Sequence, residues 1–468
     1  MDDLLQRPLT ELLDRLARKD VSAVDVMERT LARIGSLNPQ LNAFCELGDE
    51  AGLYDQARAA EQRWHDGTAR PLEGIPLGVK ELEDAEGFHA THGSVPFKDR
   101  VAEQDSPQVA RLRAAGAIVV GKTNAPEFGY TAITKNLLHG VTRSPWNLEH
   151  TPGGSSGGSS AAIAGGMVPL ATASDGGGSI RLPATFTGCF GLKISYGRIP
   201  NGPLEAWGTS HTAVVGPLTR TVEDAALHLD LVAGPHPCDA HSLPHPGISY
   251  RETLRELPAG LRIAYSPDLG FGAVQSDVAE VVAEAAQVFQ ELGHDVQEIK
   301  GGPPELGRQW GLINAFEAAG KLAPLIETHE QQFGRSFLQG TKAGFKMTPE
   351  IWWAAQQQRQ ALCDWCETIF DQYDLLLTPT TISDPPPAKG PLPTEIEGKP
   401  APWGSSGAFT IPFNLSWHPA GTVRAGFSKA KLPVGLQIVA PRHRDDRVLQ
   451  AAWAFEQARP WAEEWPEL

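Results

Sequence analysis

Three residues in this chain are of types that do chemistry, and each stands where its surroundings would change its reactivity: Lys80, Ser155 and Ser179. Lys80 lies in IPLGVKEL (75–82), an apolar run that reads as a short strand. Burying an ammonium is costly, so a lysine held there sheds its proton more readily and becomes available as a base. The plainer reading has it snorkel at the strand end or pair with Glu81 or Glu83. Ser179 follows Asp175-Gly176-Gly177-Gly178. Three successive glycines let several backbone N–H groups approach one anionic oxygen, the arrangement of an oxyanion hole; the alternative is a tight structural turn. Ser155 and its neighbour Ser156 lie in a second glycine cluster, TPGGSSGGSS (151–160). Such glycine density is common in flexible linkers. The segment between the clusters, AAIAGGMVPLATA, is instead apolar enough to be folded and buried, so the whole stretch reads as a catalytic cradle.

Other chemical motifs carry less. GAIVVGKT (116–123) fits the P-loop pattern, but its variable residues are themselves a strand, where a phosphate-binding turn would be needed. Cys363 and Cys366 form a CxxC inside a helical pattern, with no second pair or nearby histidine to complete a zinc site. GGSSG (153–157) and the overlapping 154–158 match the nucleophile elbow GxSxG, but NLEHTP before them is not the buried strand that elbow requires. His211, His228, His418 and His443 follow, and none is singled out as a partner.

The elements that must position these residues alternate. Helical periodicity covers 9–18, 22–34 with Ser22 as N-cap, 49–64 and 105–115, followed by a buried strand at 117–120. A small-residue helix (155–164) and a strand (167–171) fill the space between the serine clusters. A helix at 221–232 precedes a strand–helix–strand unit (261–265, 275–292, 295–299). Long helices at 305–329 and 349–372, strands at 374–377 and 434–439 and a last helix at 445–458 complete the chain. Alternation of this kind implies an α/β fold, a central twisted mixed β-sheet covered by many α-helices, in a single large domain over 1–468. The expected core spans about 65–235 and 405–460, with a variable, specificity-determining middle at about 236–404. The Pro/Gly-rich segment 385–404 reads as a long surface loop.

Composition bounds the partners. Of 468 residues, 41% are hydrophobic and 21% charged, enough for a large core. A net charge of −16 repels phosphate backbones, so no nucleic-acid partner is expected. Five cysteines, an odd number with irregular spacing, fit a reducing, cytoplasmic setting. No signal peptide and no membrane span are expected.

The ordered motifs GVK around Lys80, GKTNAPEFG (121–129), TPGGSSGGSS, DGGGSIRLPA (175–184), GLKISYGR (191–198) and LPVGLQIVAPR (432–442) together resemble the amidase signature family over nearly the whole chain. The resemblance implies a Ser–cisSer–Lys triad: Ser179 as nucleophile, Ser155 as bridging serine after a cis peptide bond, and Lys80 as base. It places oxyanion donors at the backbone N–H groups of Gly176, Gly177 and Gly178. Ser156 is a supporting hydrogen-bond partner, and Asp175 and Arg181 pair to fix the loop. It implies a small-molecule amide substrate, no metal, no organic cofactor, and a monomer or homodimer. DGGGS departs from the usual D-T/I-GGS, a form found in some bacterial amidases including those acting on nylon-type oligomers. Cys189 stands where small aliphatic residues are usual.

The substrate is read from the family's branches. The A subunit of glutamyl-tRNA amidotransferase uses an acidic residue before its FTIP-like segment to bind glutamine, and here that position is Gly407. Trp207, Trp310, Trp352, Trp353, Trp403 and Trp417 in the variable regions point to an apolar or aromatic pocket. The expectation is an amidase for aryl or alkyl amides, extending to esters, anilides, carbamates (urethanes) or nylon-type oligomers. The competing readings are a non-catalytic binding protein on the same scaffold and the glutaminase A subunit.

Overall fold

The strand that carries Lys80, Pro76–Lys80, lies within a sheet of eleven strands in this computed structural model, which describes residues 4–202 and 211–468. From one edge the order is Phe44–Leu47, Ile118–Thr123, Pro76–Lys80, Leu170–Asp175, Val214–Thr219, Phe190–Lys193, Ala420–Phe427, Pro433–Val439, Leu375–Pro379, Arg262–Tyr265 and Asp295–Glu298. The sheet is mixed. Pro76–Lys80 runs parallel to both of its neighbours, as does Arg262–Tyr265, and the strands between these groups pair antiparallel. Parallel pairing brings the ends of Pro76–Lys80 and Leu170–Asp175 together. Ligands bind outside such carboxyl ends in α/β sheets.

The helices form where periodicity and caps demand. Ser22 caps Ala23–Leu41 through a reciprocal capping box with Asp25, each bond 3.0 Å. That helix runs past the expected end at 34, carrying Pro39 within its last turn. Between the serine clusters, Gly157–Ala164 is a fully buried helix of small residues. Its small face is a packing requirement: a Cβ at Gly158 would stand 2.3 Å from the Asn124 nitrogen. The strand expected at 167–171 runs instead over Leu170–Asp175, starting just after Pro169, which has no N–H for a ladder. This shift carries the strand's end up to the second glycine cluster.

Four strands without a sequence expectation complete the sheet: Phe44–Leu47, Phe190–Lys193, Val214–Thr219 and Ala420–Phe427. The 385–404 segment carries a small hairpin, Glu395–Ile396 with Lys399–Pro400. It is held to the first serine cluster's approach by Thr151 N–H donating to Pro386 O (3.0 Å) and Ala388 N–H donating to Glu149 O (2.8 Å).

Candidate active site

Lys80 ends its strand fully buried. Its Nζ lies 2.8 Å from each of three hydroxyl oxygens, Ser155 Oγ, Ser156 Oγ and Ser174 Oγ, and 3.3 Å from the Ser174 carbonyl. The sequence-based alternatives do not describe it. Lys80 has no exposed surface through which to snorkel, and Glu81 faces Thr91 (2.6 Å) and Lys122 (3.6 Å). Burial drives the Lys80 pKa from 10.5 to about 7, against the pull of the Glu83 and Asp175 charges, which favour the ammonium. The three hydroxyls suit either protonation state, since an ammonium can donate one N–H to each of them and a neutral amine can donate to two. Ser156 Oγ donates to Ser174 O (3.2 Å) and accepts from Ser174 N–H (3.3 Å). An amine with two N–H bonds then donates to Ser156 and Ser174 and has its lone pair left for the hydroxyl proton of Ser155.

Ser155 is 3% exposed, and the Gly154–Ser155 peptide bond is cis. The backbone packs tightly here, since a Cβ at Gly154 would fall 2.6 Å from Thr131 O. Ser156 N–H donates to Ser179 O (3.2 Å), which ties the first glycine cluster to the second.

The second cluster is a turn whose peptide carbonyls are all held. Asn414 Nδ2 donates to Asp175 O (2.8 Å), Trp310 Nε1 to Gly176 O (2.7 Å), Thr410 Oγ1 to Gly177 O (2.7 Å), and Leu182 N–H to Gly178 O (2.7 Å). The amides divide differently from the sequence expectation. Gly178 N–H donates to Asp175 Oδ1 at 2.6 Å, so this group is committed to the carboxylate and is withdrawn from the set expected to face an oxyanion. Among the described residues no acceptor engages the N–H groups of Gly176, Gly177 or Ser179. Asp175 also accepts from Ile180 N–H and from Arg181 Nε and Nη2, the last two at 2.9 Å. Burial alone would raise the Asp175 pKa, but the Arg181 guanidinium overcomes it and holds the carboxyl well below the usual range. Arg181 is itself buried, with further bonds to Gln437 Oε1 (2.7 Å) and Asn414 Oδ1 (2.6 Å).

Ser155, Ser174, Gly176, Gly177 and Ser179 open onto one cavity of about 1160 Å³. Its walls include Tyr130, Tyr196, Trp310, Phe337 and Trp403 and the 389–394 part of the Pro-rich loop, with Asp84, Arg100, Asp105 and Lys135 also in the lining. Of the tryptophans expected at a pocket, Trp310 and Trp403 line it. Trp352 packs on Phe316 (5.8 Å), Trp417 stacks on Tyr196 (4.8 Å), Trp353 is 64% exposed, and Trp207 falls outside the described residues. Gly407 also lines the cavity, where a Cβ would stand 3.2 Å from Gly177 O.

Sequence reading did not find Ser174, Thr410 or Asn414, and placed Trp310 at the pocket without its bond to the Gly176 carbonyl. A signal for the first exists: Thr172 and Ser174 are hydroxyl residues alternating along one face of a buried strand, and Thr172 Oγ1 accepts from the backbone N–H of Lys80 (3.0 Å). The other motifs stay structural. Lys122 of the GKT sequence lies in Ile118–Thr123 and donates to Glu83 O (2.6 Å), and Cys363 and Cys366 are free thiols on Pro349–Gln372. Among the described residues there is no cluster of three or more metal-ligating side chains, and no helix long and apolar enough to cross a membrane.

Comparison with known proteins gives the family. The family model described as Amidase matches residues 25–449. An acylamidase of Rhodococcus erythropolis is 36% identical over 477 residues, 98% of this chain and 96% of that protein. The A subunit of the Roseiflexus castenholzii glutamyl-tRNA(Gln) amidotransferase is 34% identical over 100% of this chain and 99% of its own length. The crystal structure of a bacterial aryl acylamidase of the amidase signature family superposes with a TM-score of 0.91 at 30% identity, covering 97% of each chain.

Proposed function

Because this chain belongs to the amidase signature family and is a hydrolase of amide C–N bonds, we propose that it acts through an acyl-enzyme on Ser179, with Ser155 as proton shuttle and Lys80 as base. The observation that carries this reading is the buried Lys80 amine, 2.8 Å from Ser155 Oγ, with its pKa brought to about 7. Neutral Lys80 accepts the Ser155 proton while Ser155 takes that of Ser179, whose oxygen attacks the carbonyl. Charge then develops on the carbonyl oxygen. The unengaged N–H groups of Gly176, Gly177 and Ser179 are the donors proposed to receive it, each worth about 10²–10³ in kcat in comparable sites. Ser155 returns a proton to the leaving amine, and water reverses the relay to release the acid.

The substrate class proposed is an aryl or alkyl amide. The support is the aromatic lining contributed by Trp310, Tyr130 and Phe337, together with the names of the acylamidase relatives. Anilides, esters, carbamates and nylon-type oligomers are extensions of the same acyl transfer. A second reading, the glutaminase A subunit, is favoured by relatives of similar identity. Against it, position 407 offers glycine at the cavity wall, with no acid to hold an ammonium. The test is Ser179→Ala on a chromogenic anilide, with free glutamine assayed beside it. Loss of anilide hydrolysis in a folded variant, and no glutaminase activity in the wild type, is the expected result. Retained activity in Ser179→Ala overturns the nucleophile assignment.

A further inference from the structure

We propose that Trp310 is a positioning residue for the oxyanion: through the Gly176 carbonyl it sets the direction of the Gly177 N–H. The inference rests on the reading of Gly177 N–H as an oxyanion donor, and deepens it. A peptide unit is planar and trans, so its C=O and N–H point in opposite directions and turn together. In the Gly176–Gly177 unit, the oxygen accepts from Trp310 Nε1 at 2.7 Å, and the N–H has no protein acceptor among the described residues. The next unit behaves differently. Its oxygen accepts from Thr410 Oγ1 (2.7 Å) and its N–H donates to Asp175 (2.6 Å), so it is pinned at both ends without Trp310. The Gly176–Gly177 plane thus has its side-chain hydrogen bond at the oxygen end alone, as does the preceding Asp175–Gly176 plane, which Asn414 holds, so Trp310 is the side chain that fixes the Gly177 N–H.

The indole also closes over this unit. A Cβ at Gly177 would stand 2.5 Å from Trp310 Cζ2, so the ring occupies the space on one side of the glycine. Flipping the peptide would turn its carbonyl oxygen toward the cavity, set its N–H against the indole N–H and break a charge-free but short hydrogen bond. A hydrogen bond at the oxygen also polarises the amide, which strengthens donation from its N–H. Trp310 belongs to the Gly307–His329 helix, whose Gly311, Asn314, Ala318 and Leu322 line the same cavity. One helix thus forms a wall of the substrate pocket and holds an oxyanion donor. Preorganised donors of this kind act on the transition state and not on the bound substrate.

The experiment compares wild type with Trp310→Phe and with a variant carrying 3-benzothienylalanine at position 310, which keeps the bicyclic shape and removes the N–H. Both are assayed for kcat and KM on an anilide, and for affinity toward an aldehyde or trifluoromethyl ketone that adds to Ser179. Expected is a fall in kcat of about 10-fold or more, a fraction of the about 10²–10³ that losing a whole donor costs. The KM should change less than about threefold, and affinity for the carbonyl adduct should fall in step with kcat. A benzothienyl variant with wild-type kcat and adduct affinity overturns the proposal, as does a change confined to KM, which would make Trp310 a pocket wall only. If the wild type forms no adduct at Ser179 at all, the underlying acyl-enzyme reading falls, and this proposal with it.

Discussion

Replacing Lys80 with methionine removes the proposed base while keeping an unbranched side chain of similar reach, and it separates what the amine does for chemistry from what it costs the fold. In the unfolded chain Lys80 titrates near its ordinary 10.5, and in the folded protein near 7. Between these values the unfolded chain binds more protons than the folded one, so wild-type stability rises with pH across the window from about 7 to 10.5. Below it the lysine is protonated in both states and adds no pH dependence. At about 1.36 kcal/mol per pH unit, the penalty relative to a neutral side chain is about 4 kcal/mol at pH 7 and about 1 kcal/mol at pH 10. Lys80→Met escapes it, but strands the hydroxyls of Ser155 and Ser174 at about 1 kcal/mol each, while Ser156 Oγ keeps its bonds to the Ser174 backbone. The variant is thus expected to be more stable than wild type by about 2 kcal/mol at pH 7 and less stable by about 1 kcal/mol at pH 10.

The assay is thermal unfolding of both proteins at one scan rate from pH 7 to 10. With about 2.1 cal/mol/K of unfolding entropy per residue, a chain of this length shifts about 1 °C per kcal/mol, so the difference in Tm should move by about 3–4 °C and change sign. Lys193, which burial likewise brings to about 7, is present in both proteins and largely cancels. In parallel, wild-type kcat/KM should climb about tenfold from pH 6 to 8 and then level, while Lys80→Met stays inactive. A Tm difference that stays within about 1 °C of its pH 7 value, or a flat rate profile, would refute the claim that a neutral buried amine is the base.

Two further substitutions probe the surroundings. Ser174→Ala takes one acceptor from the ammonium form of Lys80, so the acid limb of the kcat/KM profile should move to lower pH while kcat falls several-fold; pH-rate profiles of the two proteins check the direction. Gly178→Ala places a Cβ 2.2 Å from Thr410 Oγ1 at a φ of 130°, so anilide hydrolysis should fall more than about 100-fold, with the circular dichroism spectrum retained.

Much of the site was legible because its parts are local. The burial of Lys80 follows from its apolar neighbours. The two glycine clusters announce close backbone approach, and the structure has it at Gly154, where a Cβ would fall 2.6 Å from Thr131 O, and in the φ of 130° at Gly178. The parts not legible arrive from far along the chain. Trp310 lies 134 residues from the carbonyl it holds, and Thr410 lies 233 residues from its own. No pattern in either segment names its partner. The central strands escaped for a different reason. AGTVRAGF is small and glycine-rich because Val448 leaves no room over Gly421, where a Cβ would fall 2.8 Å from Cγ1. A strand selected for closeness to a helix loses the β-branched alternation by which strands are recognised.

The basicity of Lys80 depends on charges that the site keeps occupied elsewhere. Two carboxylates lie close enough to raise its pKa, Glu83 and Asp175, and either one paired directly with the amine would restore the ammonium. Asp175 is prevented from doing so by Arg181, which takes both oxygens at 2.9 Å, and by the amides of Gly178 and Ile180. Glu83 is restrained differently. Burial raises its own pKa, and Gln108 Nε2 donates to its carboxyl oxygens at 2.9 and 3.2 Å. Arg181 therefore serves the lysine without touching it. Its guanidinium pairs with the carboxylate at the foot of the second glycine cluster, and the same bonds fix the turn that presents Gly176, Gly177 and Ser179. The low proton affinity of Lys80 comes first from burial, and the buried Asp175–Arg181 pair keeps one carboxylate from reversing it while shaping the loop, so neither partner can be changed alone without leaving a buried charge unmatched.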